Sequence, residues 1–387
     1  MITYALRSMD RAKRETQARK EAAKIKPGQM PKGETVAVRP KPNAKQVRTA
    51  NAFVQPTKSN GALDLRHANK KMPEGGRFLD MTHLVLGHYA RWPNKWVLDL
   101  AAIYTALTHF TDEEGKPVFN AIPHWLVVGP HGSGKTRSAK VMRAMMREPT
   151  GIAVRYTMPG VRNALNSHKV PILDELQRYF VTGRGYQDLQ AIIAGSYSDD
   201  STTLDGQGNG PNDRDAYGPM VLMGQPRLLT HTGDSLDDLL ERSIVVPWEK
   251  SFDEIPELDD EFAEITQGIK NLLSVWGASE RPIPSQQNKK PKLWPIPSPY
   301  IEGTGYLYET VPSVLQARAA EISKAPLAVA DRAVRPQVVE ENGHDIRWSL
   351  RAREAIVQVL RGHGNDPSSL ADDLEARLKA MGLNIAA

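Results

Sequence analysis

Apolar residues in this chain fall into short blocks with two different spacings. Between 96 and 107 they occupy positions 96, 97, 100, 103, 104 and 107, the repeat of one helix face. At 125–128, 170–173 and 219–224 they run unbroken, as strands covered on both faces do. Further strands are predicted at 152–158 and 243–247, with helices at 137–146, 161–167, 186–194 and 349–360. Pro159 and Gly160 read as a turn between strand and helix. The stretch 195–217 is rich in Gly, Asp, Ser and Asn around Thr202, Thr203 and Leu204, which predicts a β-hairpin with a long tip at 205–213. Helical patterns return at 311–330, broken near Pro326, and a last helix is capped at 367–369 and ends at Gly382. Residues 63–90 read as a short helix and turns. Strands alternating with helices place the fold in the α/β class, a three-layer αβα core about a parallel sheet.

The run at 125–128 leads into Gly129-Pro130-His131-Gly132-Ser133-Gly134-Lys135-Thr136, which fills every fixed position of G-x-x-x-x-G-K-[ST]. Consecutive N–H groups at a helix N-terminus cradle negative charge, and glycine lets the backbone come close without a Cβ clash. Residues 129–137, Arg137 included, are therefore the candidate contacts to ATP. Lys135 would reach the β- and γ-phosphates and the Thr136 hydroxyl would hold Mg²⁺. The second run ends in Asp174 and Glu175. At a strand tip beside such a loop, Asp174 would bind Mg²⁺ and Glu175 would polarise the attacking water. Pro171 inside that run is unusual, since proline suits an edge or the start of a strand. The third run ends at Gln225, a polar side chain placed to sense the γ-phosphate or orient water. Arg242 stands just before the strand at 243–247. It is either a cation completing a neighbouring subunit's site or one arm of a surface salt bridge with Asp237, Asp238 or Glu241.

Composition narrows the setting. The 387 residues suffice for two or three domains. By composition they divide into a basic arm at 1–62, a core at 63–250, an acidic then helical segment at 251–277, a linker with six prolines at 278–300, and a helical region at 301–387. Apolar runs are too short to predict a membrane span, and the N-terminus lacks the apolar centre of a secretory signal. Zero cysteines exclude disulfides, thiolate metal sites and a cysteine nucleophile, and a cytoplasmic location is expected. The net charge of +5 is uneven: +9 over residues 1–50, +1 over 51–250 and −5 over 251–387. The arm is thus either a nucleic-acid-binding segment, expected to be disordered alone, or a solubilising tail.

The motif order resembles the AAA+ class of P-loop ATPases, in which the Leu-Leu-Glu-Arg-Ser-Ile-Val-Val-Pro segment at 239–247 corresponds to the arginine-finger box. More narrowly, the chain resembles an uncharacterised P-loop domain of phage and plasmid primase-helicase replication proteins, related to superfamily 3-type helicases. The matching pieces are AIYTALTHF, PHWLVVGPHGSGKT, VPILDELQ, LQAIIAGSY, YGPMVLMGQP, LLERSIVVPW, RAAEISKAPLAVADRA and WSLRAREAI. The resemblance implies an AAA+-like P-loop core with a helical C-terminal lid. It further implies a Mg²⁺-dependent ATPase that assembles as a homo-oligomeric ring, a hexamer, and acts as a helicase or translocase on DNA with replication-protein partners in a bacterial host. Lys135, Thr136, Asp174, Glu175 and Arg242 carry over in the roles given above, Gln225 as a sensor and Arg318 as a lid arginine acting in its own subunit. The departures are the basic arm where a primase module would stand and the proline-rich insertion. Five aspartates (Asp199, Asp200, Asp205, Asp213 and Asp215) against Arg214 make the hairpin segment acidic, where a DNA-gripping hairpin wants the opposite sign. An ATPase switch acting through a protein partner (a loader, packaging motor or defence component) is the alternative.

Overall fold

The computed structural model describes residues 74–180, 186–200, 202–205, 212–230, 234–250, 254–280, 293–296, 300–301, 305–306, 309–315, 317–333 and 347–360. All lie within the unit Phe53–Ala387. The basic arm, the hairpin tip and the last predicted helix lie outside the described residues.

Two helices come first, α1 (Glu74–Tyr89) and α2 (Lys95–Leu107). Then follow β1 (His124–Val128), α3 (Lys135–Met145), β2 (Pro149–Ala153), α4 (Met158–Asn166), β3 (Val170–Leu173) and α5 (Gln187–Gly195). The hairpin β4 (Thr202–Asp205) and β5 (Asn212–Asp215) precedes β6 (Val221–Gly224), α6 (Asp234–Glu241) and β7 (Ser243–Pro247). Helix α7 (Asp260–Ser279), the short pair β8 (Tyr300–Ile301) and β9 (Gly305–Tyr306), α8 (Ala317–Arg332) and α9 (Arg347–Leu360) follow.

Five strands make a parallel sheet in the order β2-β3-β6-β1-β7. Side chains alternate across it, as strand geometry requires. Trp125 and Val127 face a core shared with α1, α2, α3, α7, α8 and α9, while Leu126 and Val128 face a second core shared with α4, α5 and α6. Apolar cover on both faces explains why the strand runs are unbroken rather than alternating. No helix among the described residues is long and apolar enough to cross a membrane.

Several local expectations are corrected. The helix at 63–90 is longer than read, 16 residues in α1. Strand β2 begins at Pro149 and ends at Ala153, earlier than the predicted 152–158. Pro159 and Gly160 are not a turn but the first turn of α4: the Thr157 side chain caps it by accepting the Gly160 N–H at 3.3 Å, and proline suits a position whose N–H has no partner in the helix. Helix α8 runs through Pro326 unbroken, although that residue cannot donate to the Ile322 carbonyl. Burial of Leu327, Ala328 and Val329 around it offsets the loss. Pro171 stands in a strand paired on both sides. The β2–β3 register shifts opposite it, between Pro149 and Ile152, and the Thr150 hydroxyl accepts the Ile172 N–H at 3.0 Å.

Helix α2 follows its predicted span, with Asn94 accepting the Val97 N–H at 3.0 Å as its cap. Every residue from Val97 to Leu107 is buried, because α9, α1, α8, α3 and α7 all pack on this helix. That covering helix is anchored by charge. Arg351 pairs with Asp99, and the Trp348 indole donates to Asp80 at 3.1 Å. Arg353 pairs with Asp331 of α8 at 2.7 Å, with side chains 7% and 0% exposed. The C-terminal helices therefore share the core of the sheet. Part of the proline-rich stretch is also held down: Leu293 is buried and donates its N–H to the Val118 carbonyl at 2.8 Å.

Candidate functional site

The C-terminal ends of β1, β3 and β6 bring together the residues predicted for one site. The loop 129–134 joins β1 to α3. Gly129 permits a close approach: a Cβ there would meet the Trp248 carbonyl oxygen at 2.4 Å, at the end of β7. Gly132 and Gly134 have φ of +71° and +96°, which glycine adopts freely. A Cβ at Gly132 would meet nothing within 4 Å, so the loop is open on that side.

Lys135 folds back beneath the loop. Its ammonium donates to the carbonyls of Gly129 and Pro130, both at 2.7 Å, and lies 3.5 Å from the Ser133 hydroxyl. Burial lowers its pKa, against which the nearby carboxylates of Asp174 and Glu175 pull upward. A buried cation held on two carbonyls, with no ion pair of its own among the described residues, is poised to accept an anion. Thr136 donates its hydroxyl to Asp174 at 3.2 Å. A hydroxyl and a carboxylate are hard oxygen ligands of the kind Mg²⁺ takes, together with phosphate and water. Two protein oxygens are too few to hold the ion alone, and no group of three or more His, Asp or Glu able to do so occurs among the described residues. The donor set therefore fits a magnesium that arrives with a polyphosphate.

Glu175 has φ +59° and ψ +38°, a left-handed conformation that a non-glycine residue rarely adopts. Asp174 holds this turn by accepting the Glu175 N–H at 2.7 Å. The Glu175 carboxylate accepts from the Gln177 amide at 2.6 Å and from the Gln225 amide at 3.4 Å, with the Arg178 guanidinium 3.5 Å away. Gln177 is 1% exposed, and its carbonyl oxygen accepts the Gln225 N–H at 3.0 Å. Sequence reasoning found Glu175 and Gln225 but missed Gln177, which ties them together. Its signal was available, a glutamine two residues past the acidic pair in VPILDELQ.

Two predicted residues lie elsewhere. Arg137, at the start of α3, donates its Nε to the Tyr89 carbonyl at 3.1 Å and a terminal nitrogen to the Pro256 carbonyl. It braces the loop's helix against α1 and the segment before α7. Arg242 sits at the opposite edge of the sheet: its carbonyl accepts the His124 N–H, at the start of β1, at 3.0 Å. Each strand step is about 3.3 Å, so roughly 13 Å of strand separates it from its own loop. The Arg242 side chain donates to the Ala194 carbonyl at 3.0 Å, lies 3.5 Å from Asp238 and stacks over Tyr197 at 4.9 Å from the ring centroid. The Asp238 salt bridge is thus real, but it is one contact among three. Arg318 is beside it, not beside Lys135.

No protein-family model matches the chain, and no curated protein is detectably similar to it in sequence.

Proposed function

We propose that this protein is a Mg²⁺-dependent ATPase of the AAA+-like P-loop type that hydrolyses the β–γ bond of ATP with water. The observation that carries the reading is the convergence at three neighbouring strand ends. Lys135 is held on loop carbonyls, Thr136 bonds to Asp174, and Glu175 is fixed by Gln177 and Gln225.

Thr136 and Asp174 would hold Mg²⁺, which would supply neutralisation of the phosphate charge. The loop's N–H groups and the Lys135 ammonium bind the phosphate oxygens and hold them in line for attack. Glu175 accepts a proton from the attacking water. Gln177 and Gln225 fix the carboxylate, and Gln225 is the candidate γ-phosphate sensor. Arg242 is too far from its own loop to contribute, which supports the ring assembly: a neighbouring copy supplies the cation. Within the ring, DNA in mobile-element replication is the substrate that the resemblance implies.

The acidic sequence of β4 and β5, with Asp205, Asp213 and Asp215 against Arg214, favours a second reading. In it the same ATPase acts as a switch on a protein partner. Isothermal titration with Mg·ATP and a phosphate-release assay test the core claim, and DNA stimulation of turnover chooses between the two settings. A well-folded preparation with no measurable affinity for Mg·ATP ends both.

A further inference from the structure

The N-terminal edge of the sheet carries a second charged cluster that the site above does not use. Tyr197, after α5, accepts the Ile122 N–H with its carbonyl at 2.7 Å and so stands where the chain enters β1. Two guanidinium carbons, those of Arg242 and Arg318, each lie 4.9 Å from the centroid of its ring. Arg318 also donates to the Tyr197 hydroxyl and to Glu321. The Nε of Arg242 is buried without a partner. The carboxylates balancing the pair, Asp238 and Glu321, are 51% and 38% exposed. Ion pairs that open to water are worth at most about 1 kcal/mol each.

Two cations stacked on one aromatic ring, their ion-pair partners partly exposed carboxylates, form a preorganised receptor for a multiply charged anion. Stacking has already removed much of the side-chain freedom that binding would otherwise cost. The cluster lies at the wrong end of the sheet to serve its own loop. We propose that Arg318 acts in trans with Arg242, across Tyr197, as the second cation that one copy of this chain presents to the triphosphate bound on the loop of the next. The proposal rests on the ATPase reading above and replaces the expectation that Arg318 serves its own subunit. A phosphoryl transition state spreads charge over several oxygens, and two forks of planar donors match it better than one.

Subunit mixing tests this. Arg318→Ala is expected to retain Mg·ATP affinity, because its loop is intact, and to lose about a hundredfold in turnover. Glu175→Gln has intact arginines and a dead acid site. Co-expressed under different tags and purified through both, the two inactive variants should regain turnover at least about tenfold above either alone. The gain comes from interfaces where one variant's loop meets the other's arginines. A parallel mixture of Arg242→Ala with Glu175→Gln serves as reference. Rescue of the Arg242 mixture but not of the Arg318 mixture overturns the proposal and leaves the ATPase reading intact, since a defect in a subunit's own loop travels with its own chain. Failure of both mixtures overturns the proposal together with the trans role of Arg242, and a wild-type protein that does not bind Mg·ATP removes the ATPase reading beneath it as well. If Arg318→Ala does not fold, Arg318→Gln takes its place and is read in the same way.

Discussion

The two edges of the sheet carry opposite charge patterns and are assembled in opposite ways. At the C-terminal edge, acids and amides stand on residues that directly follow β3 and β6, and the cation belongs to the first turn of α3. Asp174, Glu175 and Gln225 lie within two positions of a strand end, and Lys135 and Thr136 open the helix that follows β1. At the N-terminal edge, Tyr197, Arg242 and Arg318 come from three distant segments and meet only in the fold. One edge is a product of local backbone geometry, and the other of tertiary packing. A site of the first kind survives loss of a distant helix; a site of the second kind does not.

The largest effects should come from the C-terminal edge. Lys135→Ala removes the ammonium bonded to the loop's Gly129 and Pro130 carbonyls and should raise the Kd for Mg·ATP by at least about a hundredfold in titration calorimetry. Glu175→Gln should keep binding and lower turnover by about a thousandfold in a phosphate-release assay. If Glu175→Gln turned over at the wild-type rate, the acid would have to be sought elsewhere and the contrast between the edges would lose its first half.

A change far from either edge separates them. Arg353 is 6% exposed and pairs with Asp331, while its other N–H groups go to the carbonyls of Glu309, Thr310 and Ser349. Removing one partner of a buried pair costs about 3–5 kcal/mol. Arg353→Ala should lower the urea midpoint accordingly. In the surviving folded population it should loosen α8, which carries Arg318, more than the loop. Turnover should then fall more than Mg·ATP affinity. Equal losses in both would mean that the two edges are not mechanically separate.

How legible each edge was in the sequence follows from the same contrast. The positions of the loop, the acids and Gln225 were readable because unbroken apolar runs mark buried strands and these candidate residues follow their ends. The arginine cluster was half readable. Arg242 stood out by position before β7, but nothing in the spacing of Tyr197 or Arg318 says that they share a ring contact. The same limit applied to α2, whose helical period was plain and whose complete burial was not, because α9 covers it from more than 200 positions away. Pro326 and Pro159 misled for a related reason: a local rule about proline was overridden by packing in one case and satisfied by an unseen cap at Thr157 in the other.

Acid should weaken the N-terminal edge first. His124, at the start of β1, is fully buried, and its pKa is pushed down to about 3 by that burial, with a hydrogen bond to Ile193 pulling upward and the Arg242 charge adding to the lowering. His109 is pushed down to about 4 by burial. Both are neutral in the folded protein and bind protons in the unfolded chain below about pH 6.5. Stability is therefore full above that value and falls as pH drops toward the folded pKa values, by up to about 1.4 kcal/mol per pH unit for each histidine. Between pH 6.5 and 4.5, His124 alone should remove roughly 2.5 kcal/mol. Thermal melts across that range should show a shallower pH slope in His124→Gln than in wild type. An unchanged slope would mean that the imidazole is already charged in the folded state.

The smallest effect is the sharpest test of how the acid edge works. Gln177 touches neither the loop nor Lys135, yet one of its amide atoms bonds to Glu175 and the other to the Gln225 main chain. Glu175 sits in a strained left-handed turn, and a carboxylate on a strained backbone stays in place only if its surroundings hold it there. Gln177→Ala removes one such restraint and leaves a small polar void. Affinity for Mg·ATP should not change, because no phosphate contact is lost. Turnover should fall about tenfold, equivalent to about 1.4 kcal/mol, and Gln177→Glu should not restore it, because a second carboxylate repels the first and has no N–H to donate to it. The readout that separates positioning from simple destabilisation is turnover per folded molecule, measured well below the unfolding transition. In Gln177→Ala that quantity should fall, whereas a purely structural lesion would lower only the fraction folded.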